Sequence, residues 1–84
     1  MIVRMWEVKA HPEWMADALS WVCEVGVPIL EDDPQHIESE VFSSADNRIV
    51  VISRWRGEPA DIPEPPRRLV ERPGHAWDFS VVDR

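Results

Sequence analysis

Five tryptophans, Trp6, Trp14, Trp21, Trp55 and Trp77, are the side chains in this 84-residue chain best suited to specific recognition. An indole presents a large flat apolar face and one polar edge, so several converging indoles suit a flat apolar or aromatic molecule. Trp14 and Trp21 lie seven residues apart in a helix-like stretch, whereas Trp6, Trp55 and Trp77 fall in strand-like stretches. Gathered between helix and sheet, Trp6, Trp55 and Trp77 would wall a pocket, with Arg54 as a polar substrate-binding group. The competing reading makes all five tryptophans core, supplying buried area to a short chain.

The titratable residues offer less. His75 follows Pro73-Gly74, where it could face a cavity mouth and carry a proton near neutral pH, so it is the candidate catalytic residue. His11 and His36 read as residues that start a helix and a strand. No histidine pair has metal-ligand spacing, so neither a metal nor a cofactor is expected. Cys23 sits in an acidic helical setting that raises a thiol pKa, and it reads as a core or half-buried spacer. Arg4, Arg54, Glu7, Ser39 and Ser53 are further polar groups. Arg4 and Arg54 are expected to pair with Glu38 or Glu40 across strands, for ~0.2–1 kcal/mol each.

These residues need elements to hold them. Met1–Ala10 alternates as a strand, Ile2, Arg4, Trp6 and Val8 pointing one way and Val3, Met5, Glu7 and Lys9 the other. Pro12 then opens a helix expected to run to about Val25, with Trp14, Ala18, Trp21, Val22 and Val25 as its apolar stripe and Gly26 as its stop. A short second helical segment, Pro28–Asp32, would follow. His36–Arg56 reads as a hairpin around the polar turn Ser43–Asn47. Its first strand alternates. Its second carries the unbroken run Ile49–Ile52, which predicts cover on both faces. Residues 57–73 hold five prolines, so no long second helix is expected there, and Pro66–Glu71 forms one or two turns at most. His75–Val82 closes the chain as a strand with Trp77, Phe79 and Val81 on one face.

Composition narrows the partners. A net charge of −7, from 16 acidic and 9 basic side chains, argues against nucleic acid and against anionic membranes. No apolar run is long enough to span a bilayer, and Arg4, Glu7 and Lys9 interrupt anything like a signal peptide. A cytoplasmic protein with one domain, residues 1–84, is the expectation. A domain this small buries roughly 60–65% of its surface, which favours pairing with a second copy.

The order β-α-β-β-(short or degenerate α)-β predicts an α+β, ferredoxin-like four-stranded antiparallel sheet, two copies packing face to face as a dimeric α+β barrel. The strand MIVRMWEV, the Pro-started helix, the hairpin ending VVISRW and the final strand resemble the dimeric α/β-barrel superfamily. The nearest likeness is to its small antibiotic-biosynthesis-monooxygenase-like (ABM-like) group. That resemblance implies a homodimer with a cavity between helix and sheet for a small apolar or aromatic molecule, and cofactor-independent monooxygenation as its chemistry. Haem-degrading members use a histidine on the second helix and an asparagine on the first strand. This chain has neither, its sole asparagine being Asn47 in the turn. The alternative function is a non-catalytic dimerisation or regulatory module with the tryptophans as core.

Overall fold

A computed structural model describes residues 1–84. Strand β1 (Ile2–Lys9) is followed by a 3-10 turn (Pro12–Trp14), helix α1 (Met15–Trp21), a π-type turn (Val22–Gly26) and helix α2 (Val27–Glu31). Strands β2 (His36–Ser43) and β3 (Arg48–Trp55) form the hairpin. A short 3-10 turn (Arg67–Leu69) precedes β4 (His75–Ser80). The sheet order is β2-β3-β1-β4 with every pairing antiparallel, the ferredoxin-like α+β arrangement with its second helix reduced to that single turn.

β1 is central because it pairs on both edges: Trp6 lies opposite Val51 on β3 and Ala76 on β4, and Arg4 opposite Ser53 and Asp78. With a side-chain period of two, this register sends Trp6 and Val8 of β1 and Ile49, Val51, Ser53 and Trp55 of β3 to the helix side. There they pack with Ala18, Val22, Leu30, Ile62, Leu69 and Val70 in one buried cluster.

The helix departs from expectation at Gly26, and the reason is geometric. Instead of stopping, the backbone passes through Gly26 at φ −63° and continues to Glu31. Pro28 has no N–H to offer, and the wider turn just before it loosens the ladder that proline would otherwise break. The Val27 N–H reaches back five residues to the Val22 carbonyl. That wider turn also changes the inward phase. Ala18, Val22, Gly26 and Leu30, spaced by four, are buried, while Val25 and Ile29 turn outward. Gly26 is small because its neighbours are close: a Cβ there would lie 3.3 Å from Ile62 Cγ2 and 3.5 Å from the Trp21 ring. Cys23, one residue past the inward Val22, is exposed rather than core or half-buried.

The hairpin turn follows its residue types. Asn47 takes φ 66°, and Ser44 Oγ accepts from the Arg48 N–H at 3.1 Å. The Ser44 hydroxyl, donating to Asp46, holds that carboxyl below the usual range, with Arg48 adding to the effect. At the other end a bulge around Ile37 puts His36 and Ser39 on one face, His36 Nε2 lying 2.7 Å from Ser39 Oγ. β3 is not covered on both faces within one chain: Ile49, Val51, Ser53 and Trp55 are buried, whereas Val50 and Ile52 on the other face are only half-buried.

Candidate functional site

A cavity of about 380 Å³ opens between the helix side of the sheet and the proline-rich segment that follows β3. Its floor comes from Arg4 and Trp6 of β1, Ser53 of β3 and Ala76 of β4. Leu30 closes one side, and residues 60–64 with Gly74 form the rim. Gly74 is required by close approach. A Cβ there would stand 2.5 Å from Trp6 Nε1, so only glycine lets the chain enter β4 against the indole edge.

Arg4 is the charged centre of this wall. Its Nε and Nη2 donate to the two carboxylate oxygens of Asp78 at 2.7 and 3.0 Å, a two-pronged pair across neighbouring strands. Its Nη1 donates to Asp61 Oδ1 at 2.7 Å and to the Ala60 carbonyl at 3.4 Å. Arg4 therefore pairs with Asp78 and Asp61, not with Glu38 or Glu40. Sheet order explains this: β4 is the neighbour of β1, and β2 lies two strands away. The hydrogen bonds to Asp78, and after them the one to Asp61, hold the guanidinium pKa above its ordinary value against the opposing effect of burial. In return Arg4 holds the Asp78 carboxyl below the usual range. Ser53, 1% exposed, accepts from Trp55 Nε1 at 2.8 Å. Glu64 Oε2 accepts from the Gly74 N–H at 3.2 Å.

The sequence-predicted residues fall on both sides of the sheet. Trp6 lines the cavity. Trp55, on the same side of the sheet, does not line it; it is fully buried, edge-on to His36 with ring centres 5.2 Å apart. His75, Trp77 and Arg54 stand on the opposite face. His75 lies opposite Glu7 and has its ring centre 6.0 Å from that of Trp77, while Arg54 pairs with Glu38 at 3.0 Å as the sequence suggested. Trp14 and Trp77 are exposed, and Trp14 carries Arg68 over its ring at 5.8 Å. Asp61, Ile62 and Glu64 were not legible as site residues. The only signal was two carboxylates and one large aliphatic set among prolines, a pattern that reads as surface loop.

The opposite face has its own polar feature. The Glu7 side chain, 9% exposed, accepts from Arg72 Nη2, and Arg48 Nη1 lies 3.9 Å away. Arg72 Nη1 is buried with no hydrogen-bond partner. A second recess of about 400 Å³ lies beside Arg72, lined by Glu64, Pro65, Arg67, Val70, Glu71 and Pro73. No cluster of three or more His, Cys, Asp or Glu side chains is placed to hold a metal ion, and no helix is long and apolar enough to cross a membrane.

Fold and site together define a ferredoxin-like α+β domain with a tryptophan- and arginine-walled cavity on the helix side of its sheet. No known family model, curated protein or solved structure gives a significant match to the chain.

Proposed function

We propose that this chain is a homodimeric ABM-like protein that binds a small apolar or aromatic molecule in the cavity beside Trp6. The observation that carries this reading is the cavity itself. About 380 Å³ lies in the range of small-molecule sites, and its apolar wall of Trp6, Leu30, Ile62 and Ala76 is interrupted by a few placed polar groups. Pairing is supported by the opposite face of the sheet. There Val3, Met5, Val50 and Ile52 are half-buried and Phe42, Trp77 and Phe79 are exposed, an apolar surface rimmed by charge that a second sheet would cover.

Binding is better supported than turnover. Cofactor-free oxygenation needs a base against the bound molecule, and the groups at this cavity able to take a proton are the carboxylates Asp61 and Glu64. His75, across the sheet, would have to act from a partner-facing surface. The same observation favours, as second reading, a non-catalytic dimerisation or regulatory module whose cavity senses a ligand.

Native mass spectrometry of the purified protein tests both halves of the proposal. A dimer carrying extra mass is the expected result. A dimer with no ligand, even after incubation with small aromatics, would remove the binding function, and a monomer at micromolar concentration would remove the pairing.

A further inference from the structure

The polar groups of the cavity are divided between its rigid and its movable walls, and that division bears on what the ligand must be. The rigid wall supplies donors. Arg4 and Ser53 are register partners on one face of the sheet, and the Ser53 oxygen is already engaged as acceptor by Trp55, which leaves its hydroxyl hydrogen free to donate. The acceptors that meet Arg4 Nη1, Asp61 Oδ1 and the Ala60 carbonyl, both belong to the proline-rich rim.

That rim is held differently from the rest of the protein. Residues 57–65 contribute none of the 45 backbone hydrogen bonds. They are fastened by side chains: Ile62 against Gly26, Glu64 on the Gly74 N–H, and Asp61 on Arg4. Without a backbone ladder the segment is held by these contacts and by the burial of Pro59, Ile62 and Pro65, so the exposed Asp61 latch is the part that lets go at least cost. The Asp61 side chain is 90% exposed while that of Arg4 is 15% exposed, so the carboxylate gives up little burial when it leaves, and the guanidinium stays behind.

Building on the binding function proposed above, we infer that residues 57–65 form a lid latched by Asp61, and that the ligand is a small aromatic or apolar carboxylic acid. Its carboxylate takes over the position of Asp61 on Arg4 Nη1, with the Ser53 hydroxyl as second donor and its ring between Trp6 and Ile62. The exchange leaves the charge around Arg4 unchanged, because one carboxylate swings into solvent as another enters. Asp78 keeps Nε and Nη2 throughout. A neutral amide meets the same donors with weaker hydrogen bonds, and an ammonium group meets none of them.

The test is a titration of the 15N-labelled protein with 2-naphthoate, 2-naphthamide and 2-naphthylmethylamine, following the Trp6 indole N–H and the amides of residues 60–64. Naphthoate is expected to bind about 10-fold tighter than the other two and to shift both sets of signals. Asp61→Asn, at an exposed position, removes the internal competitor and should tighten naphthoate by about 5-fold and the amide by no more than that. Equal binding of the amide or the amine at Trp6 would overturn the acid assignment and leave the cavity function standing. Failure of all three to move the Trp6 signal would overturn both. Naphthoate binding that is unaffected in Asp61→Asn would overturn the latch.

Discussion

The two faces of the sheet are built from the same four strands yet do opposite things. On the helix side, Trp55, Ile49, Val51 and Val8 are fully buried, and the cavity beside Trp6 is bounded by polar groups with specific partners. On the other side the apolar residues are as large, but Phe42, Trp77 and Phe79 remain in water. Only one helical layer exists to cover two faces. A core closes where the chain supplies its own cover, and the face left without cover keeps large apolar side chains in water.

That contrast can be broken or sharpened by substitution. The largest effect is expected from Trp55→Ala, which opens a hole in the closed face and should cost about 3–5 kcal/mol, measured by urea denaturation. Trp77→Ala should cost a small fraction of that in the same measurement at low protein concentration; equal losses would mean that the two faces are not distinct. Trp77→Ser combined with Phe79→Ser should weaken the proposed dimer about 100-fold in sedimentation equilibrium, with the far-ultraviolet circular dichroism unchanged. Gly74→Ala pushes a methyl group into the Trp6 edge and should destabilise the fold by about 1–3 kcal/mol, with a change in the environment of the Trp6 indole.

Acid should act through Asp78. Its folded-state pKa lies below the ordinary value because Arg4 donates to it, so its contribution is present above the unfolded-state pKa of about 3.9 and is lost as pH falls through the lower folded-state value. Asp78→Asn should therefore flatten the acid limb of a stability–pH curve below about pH 4 and leave the neutral region without a slope of its own. The smallest effect belongs to the open face. Arg54 and Glu38 are both well exposed, so Glu38→Ala should change stability by no more than about 0.5 kcal/mol.

Much of this architecture was written locally. The alternation of Ile2 to Lys9 assigns each residue of β1 to its observed face, and the Ser43–Asn47 cluster contains the left-handed Asn47 that the hairpin needs. The prolines of residues 57–73 rule out a long second helix because they lack donors and clash with a helical interior, and a single turn before Leu69 is what remains. The helix register was less legible. A period of 3.6 points Val25 inward, but the wide turn ahead of Pro28 substitutes Gly26 and Leu30, and a non-local contact with Ile62 leaves little room there for a side chain.

The candidate site was legible only in part, and the limit is physical. Residue types named Trp6 as a pocket wall and Arg4 and Ser53 among several polar groups, but they also named Trp55, Trp77, Arg54 and His75, the last three of which stand on the opposite face. Bringing Asp61 to Arg4 across 57 positions, and Asp78 to it across 74, depends on β4 choosing the free edge of β1 and on the proline segment folding back over the sheet. Periodicity likewise says that Trp77 and Phe79 share a face, not which face carries the helix. By itself the sequence determined the elements, their order and the alternation within each strand, because these follow from backbone sterics and neighbours a few residues apart. Only the tertiary structure decided which side of the sheet closes into a core, which arginine meets which carboxylate, and where the cavity lies, because those outcomes depend on strand order and on contacts made across most of the chain.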